Sequence, residues 1–226
     1  MTINNSYRFF FTLAFCVALF LPVSGQINDA GLWTNITIKK KITKRFDAYL
    51  TEELRFNENI TELGAFYAEI GAEYEILKGF KAGAFYRHIC KRRLDDSYIQ
   101  ANRYYIDLSY GNNIKRLQLG YRIRFQQAYK DYNTSPDGHV PINFIRQKIH
   151  LGINTKTRFD PYLDGEIWYH LNPPWSEFDN IRISAGIVTR ISKHHFLDTG
   201  FLYQQEFNIA DPVADYILSL GYKIVF

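Results

Sequence analysis

The sequence predicts an all-β protein, a transmembrane antiparallel up-and-down β-barrel of about 10–12 strands, and three observations predict it. Polar and apolar residues alternate with a period of two through segment after segment, the mark of strands with two unlike faces. The segments run to ~10–14 residues, longer than the ~5–6 of an average soluble strand and close to the ~9–11 tilted residues that cross a bilayer. Charges such as Arg122 and Arg124 stand mid-segment on the polar face, while Tyr104 and Tyr110 sit near the ends of an apolar face, where aromatic girdles meet the membrane interfaces. A soluble β-sandwich also alternates, but seldom places charges mid-strand on the face that packs.

The composition agrees. Of 226 residues, 17 are Tyr, 18 Phe and 3 Trp, with a single Met, which favours strands over helices. Charged residues make up 22% and hydrophobic ones 46%, which excludes a disordered chain and a helical membrane protein. The formal net charge of +4 is spread along the chain without a basic block, so no nucleic-acid partner is implied.

Taken in order, the chain opens with a targeting segment. Arg8 precedes an apolar run from Phe9 to Leu21, and Pro22-Val23-Ser24-Gly25 supplies the small, helix-breaking cleavage region of a secretory signal, expected over residues 1–25. The run is too short for the ~20 residues of a spanning helix. Phe15 before Cys16 is wrong for lipoprotein processing. Removal of Cys16 leaves Cys90 alone, so no intramolecular disulfide can form.

The mature barrel, 26–226, then begins. Its first segment is 32–40, followed by 46–57, 62–75 and 80–89. Next come Arg103 to Tyr110 and Leu117 to Gln126, each strictly alternating. Segments 144–155, 161–171, 180–191, 195–206 and 215–226 complete the series. Short connections lie at Leu77-Lys78-Gly79, Gly111-Asn112-Asn113, Thr155 to Asp160 and Ser192-Lys193-His194. Longer ones at 90–102, 130–143, 172–180 and 207–213 alternate with them, as in outer-membrane barrels with periplasmic turns and surface loops. The count exposes a conflict: eleven segments, where a single-chain bacterial barrel has an even number. Either 32–40 is not a regular wall strand or one strand is missed.

The chain ends Ser219-Leu220-Gly221-Tyr222-Lys223-Ile224-Val225-Phe226. A polar residue, a Gly, alternate hydrophobics and a terminal Phe resemble the β-signal that the barrel assembly machinery reads, with Ser219, Gly221, Ile224 and Phe226 as its key positions. Trp33, Glu53-Leu54-Arg55, Tyr86-Arg87, Arg122-Ile123-Arg124-Phe125-Gln126 and Arg146-Gln147-Lys148 are similar to the family called domain of unknown function 2490, along essentially the whole mature chain. The resemblance implies a Gram-negative outer-membrane barrel and nothing catalytic. The expected surroundings are outer-membrane lipid and lipopolysaccharide, with the barrel a monomer.

No chemical motif stands out. The histidines His88, His139, His150, His170, His194 and His195 lack metal-ligand spacing, and no Gly-rich phosphate loop or nucleophile elbow occurs. No catalytic residue, metal or cofactor is expected. His150 and Ser184 lie on polar faces without a legible partner. The polar faces instead share arginines: Arg55, Arg87, Arg122, Arg124, Arg146, Arg182 and Arg190, with Lys148, are expected to line the lumen. Asp164 and Glu166 join them there, as do Glu53, Glu69, Glu73 and Asp198. Two readings follow, a charged path for anions or an interlocked Arg–carboxylate network filling a narrow lumen. The narrow lumen favours the second. Glu52, between Leu50 and Leu54, falls on the lipid face and suggests a bulge or an interface position. The expected role is a non-enzymatic barrel that binds or passes a small solute or serves as a structural surface protein. The alternatives are an enzyme acting on lipid or lipopolysaccharide, or docking through loops 90–102 and 130–143.

Overall fold

The computed structural model describes residues 27–93, 95–130, 141–172, 177–209 and 212–226. The expected signal segment 1–25, the connection 131–140 and Pro173-Pro174-Trp175 lie outside them. The described chain is one closed sheet of eleven strands. They are β1 (Ile27–Lys41), β2 (Phe46–Asn57), β3 (Glu62–Leu77), β4 (Phe80–Arg92), β5 (Tyr98–Ile114) and β6 (Leu117–Lys130), then β7 (Ile142–Ile153), β8 (Phe159–His170), β9 (Phe178–Arg190), β10 (His195–Glu206) and β11 (Val213–Val225). Each strand pairs antiparallel with its sequence neighbour, and the barrel closes by a parallel pairing of β1 with β11.

That closure resolves the odd count. Antiparallel neighbours reverse direction at every step, so in a ring of eleven the first and last strands point the same way and must pair in parallel. Segment 32–40 is therefore a full wall strand, with Trp33 opposite Ser219 and Lys39 opposite Val225. The seam is tied at one end by Phe226, whose N–H donates to Lys39 O at 2.9 Å and whose carbonyl accepts from Lys41 N at 2.9 Å.

Several connections are shorter than the alternation suggests. Cys90, Lys91 and Arg92 stay in the ladder opposite Gln100, Ile99 and Tyr98, so the expected loop 90–102 shrinks to 93–97. Gly111, Asn112 and Asn113 likewise remain paired, opposite Gly120, Leu119 and Gln118, and the chain reverses at Lys115-Arg116. Lys78-Gly79 makes a two-residue turn, with Gly79 at φ 80°, a conformation that favours glycine. Polar composition alone had marked these ladder residues as loop, but backbone pairing is indifferent to side-chain charge at a strand's end.

The two faces of the wall are inverted relative to a soluble protein. Ile106 is 56% exposed, whereas its neighbour Asp107 is 4% exposed. Leu50, Ile70, Ile149, Ile183 and Phe201 are also exposed, while Glu53, Glu69, Arg124, Arg146, Asp164 and Glu166 are buried. A barrel that shows its aliphatic residues outward and buries its charges is built for an apolar surrounding. Outward aromatics gather in adjoining pairs: Tyr86 with Tyr104 at 5.1 Å, Tyr104 with Tyr129 at 5.8 Å, Tyr169 with Phe178 at 5.0 Å and Tyr203 with Tyr216 at 5.2 Å. Glu52 does lie on this outer face, exposed, but no bulge accompanies it. Its register runs unbroken from Ile36 to Ala68, and the nearby irregularity is between Arg55 and Phe56.

Candidate functional site: the charged lumen

Period-two alternation points every second side chain of each strand inward, and the register decides which of them meet. Arg124 on β6 stands opposite Asp107 on β5. Its Nε and one terminal nitrogen each donate to a different Asp107 oxygen at 2.7 Å, a fork-to-fork pair. Glu166 on β8 gathers three arginines. Arg146 reaches it at 2.7 Å from β7, Arg122 at 2.6 Å from β6 and Arg182 at 3.7 Å from β9. On the opposite side of the barrel, Arg87 donates to Glu69 at 2.5 Å and lies 3.6 Å from Glu53, which also accepts from Arg55 at 2.5 Å. The Arg122–Glu166 and Arg87–Glu53 contacts each skip an intervening strand, so the pairs brace the interior as well as the wall.

Aromatic rings join these clusters. Arg55 sits 3.5 Å from the centre of the Trp33 ring and 4.4 Å from that of Tyr67. Arg182 lies between two indoles, 5.0 Å from Trp33 and 5.3 Å from Trp168, and Arg146 covers Trp168 at 4.1 Å. The result is one chain of alternating cations and rings from Arg87 through Tyr67, Arg55, Trp33, Arg182 and Trp168 to Arg146. Trp33 belongs to β1 and Arg182 to β9, with β10 and β11 between them, so this chain passes across the lumen. Each such contact contributes ~0.5–2 kcal/mol, more where water is excluded.

A second layer lies toward the short turns. There Lys39 pairs with Asp47 at 2.7 Å, Lys81 with Glu73 at 3.7 Å, and the Tyr49 hydroxyl donates to Glu73 at 2.6 Å. Asp198, another expected lumen acid, accepts from the Tyr162 hydroxyl at 2.9 Å.

A cavity of about 610 Å³ occupies the interior around these groups. Arg55, Arg87, Arg103, Arg122, Arg124, Arg146, Lys148, Arg182 and Lys223 line it, against the carboxylates Glu53, Glu69, Asp164 and Glu166. Asp107, behind Arg124, adds one further acid. Positive charge remains in excess.

The sequence-derived lumen residues Arg55, Arg87, Arg122, Arg124, Arg146, Asp164, Glu166 and Arg182 thus come together around one cavity. Arg190 does not: it is exposed at the end of β9, beside the 191–194 turn and away from the cavity lining. Alternation gives its parity but not its height. Arg103, Asp107, Tyr105 and Gln126 share these inward faces, and parity alone does not set them apart from other inward residues. Nothing in the alternation marks Trp33, Tyr67 and Trp168 as partners of the arginines, because those contacts are made between different strands.

The pairing of His150 and Ser184 is also settled by register. His150 Nδ1 lies 2.6 Å from Asp164, which Lys148 also holds at 2.8 Å. Ser184 stands opposite Asp164 on the far side, a full strand beyond His150. A nucleophile needs its base beside it and the acid behind the base; here the acid stands between the two. Among the described residues no three His, Cys, Asp or Glu side chains could hold a metal ion. Of the terminal β-signal positions, Ser219 lines the cavity, Gly221 is buried against Asn35, and Phe226 is exposed beneath Lys40, 5.7 Å from its ammonium.

Comparison with known proteins adds the following. The chain matches the family described as Protein of unknown function (DUF2490) over residues 30–214. Among solved structures it is similar to an anion-selective porin from Comamonas acidovorans, at 11% identity and a TM-score of 0.40 over 80% of this chain and 53% of that one. It is also similar to the beta domain of the Bordetella autotransporter Brka, at 9% identity and a TM-score of 0.43 over 77% of this chain and 81% of that one. The chain spans about half the length of the porin. No curated protein matches it.

Proposed function

Since the chain belongs to the DUF2490 family of proteins of unknown function, which carries no activity to transfer, we propose a role from the barrel itself: a non-enzymatic outer-membrane protein whose lumen is closed to free diffusion and holds a small solute. The observation that carries this reading is the belt of interlocked arginines, carboxylates and indoles across the interior. A pore for bulk solutes keeps its charged side chains apart on opposite walls. In this lumen most of them are bonded to one another, and Arg182 reaches from β9 to the Trp33 ring on β1.

The aliphatic outer wall and its aromatic pairs support a membrane location. So do the five short turns, 42–45, 78–79, 115–116, 154–158 and 191–194, which contain Lys44, Arg45, Lys78, Lys115, Arg116, Lys156, Arg158 and Lys193 and no acid. Cations at that rim suit the phosphates of a headgroup layer. In cells the protein is expected to fractionate with outer membranes and to migrate differently on gels with and without boiling. Deleting Phe226, which ties β11 to β1, lowers its surface level.

Planar bilayers test the closed lumen. The wild type is expected to show small or no steady conductance, and Arg146→Ala to leak more. Large, stable, porin-like steps from the wild type contradict the reading.

A further inference from the structure

Among the described residues, two cations lining the cavity have no counterion in contact. Arg103 on β5 faces Arg87 on β4 and Ala128 on β6 in register, with no acid opposite on either neighbour. Its Nε is shut off from solvent, and no described residue hydrogen-bonds to the guanidinium or pairs with it. Lys223 on β11 is likewise without an ion pair among the described residues. A third donor, Nε of Arg122, is buried without a partner. These three groups line the same cavity. One row of the sheet runs inward from Lys223 through Thr37, Thr51, Glu69 and Arg87 to Arg103, so the two free cations end a continuous polar surface.

Resting on the reading of the lumen as a solute cavity, we propose that it binds a small, multiply charged oxyanion of the phosphate or sulfate type, anchored by Arg103. An anion there supplies the acceptors that the wall does not. A planar guanidinium is suited to two oxygens of such a group.

The ligand is charged and hydrophilic rather than aromatic, because the rings that could stack an organic ligand are occupied. Trp33 is covered by Arg55, Trp168 by Arg146, and Tyr105 by Arg124 at 3.6 Å on one side and Phe85 at 4.9 Å on the other. Apart from Leu202 the aliphatic residues are absent from the lining.

The purified full chain in detergent is titrated with inorganic phosphate, sulfate and chloride at constant ionic strength. Tryptophan emission is the readout, since Trp33 and Trp168 line the cavity. Saturable changes are expected with phosphate or sulfate at concentrations at least tenfold below any chloride effect, with the thermal midpoint rising in parallel. Arg103→Gln weakens binding at least tenfold while its unboiled gel migration stays that of a folded barrel. Arg190→Gln, at the exposed rim, binds as the wild type does. Equal responses to all three anions in the wild type overturn the proposal without need of a variant, and so does an inserted R103Q that binds normally. Either failure is distinct from failure of the closed-lumen reading, which conductance alone decides.

Discussion

Arg124 and Arg103 leave adjacent strands toward the same lumen, yet their surroundings are opposite. Arg124 faces Asp107 in register, shares both carboxylate oxygens with it and covers the Tyr105 ring at 3.6 Å. Arg103 faces another arginine and an alanine, and its Nε has no partner among the described residues. Residue type and inward parity are the same for both. Register makes one a strut and leaves the other available. Across the barrel the distinction repeats: Glu166 holds Arg122, Arg146 and Arg182, while Lys223 makes no ion pair among the described residues.

The largest effect is expected where one acid serves several cations. Glu166→Ala strips the partner from buried Arg146 and two neighbours, and breaking a buried pair from one side costs about 3–5 kcal/mol. Thermal unfolding followed by loss of the unboiled band should show it, together with bilayer leakage. Next comes Arg124→Ala, which abandons Asp107 at 4% exposure; the expected loss is about 3 kcal/mol or more, measured in the same assay. Arg103→Ala should change stability by less than about 1 kcal/mol, and in either direction, because it removes repulsion along with packing. A loss as large as that of R124A would break the contrast. Smallest of all is Ile123→Leu on the lipid face beside Arg124, within about 0.5 kcal/mol.

Much of this was legible from alternation. The eleven segments, the inward parity of Arg122, Arg124, Arg146 and Glu166, and the outward Tyr104 and Tyr110 all follow from a period of two. The closure did not, because a parallel pairing between residues near 33 and 219 is a contact between the chain's ends that no local pattern encodes. Nor could alternation separate Arg124 from Arg103. That difference depends on which residue a neighbouring strand brings opposite, and a shift of two positions between β5 and β6 would set Arg124 opposite Tyr105 or Ser109 instead of Asp107 while leaving every face unchanged. The role of the indoles was not legible for a related reason. Trp33 shares the inward parity of Asn35 and Thr37, but its ring finds meaning only beside Arg55 and Arg182, from two other strands.

A pair of double-mutant cycles tests most directly whether register assigns these roles. One couples Arg124 with Asp107, the other Arg103 with Arg87, with unfolding free energies measured for the single and double alanine variants of each. A favourable coupling of about 2–3 kcal/mol is expected for the first, and none or a repulsive one for the second. Equal favourable couplings in both cycles would contradict the division of the lumen into bonded struts and a free anion anchor.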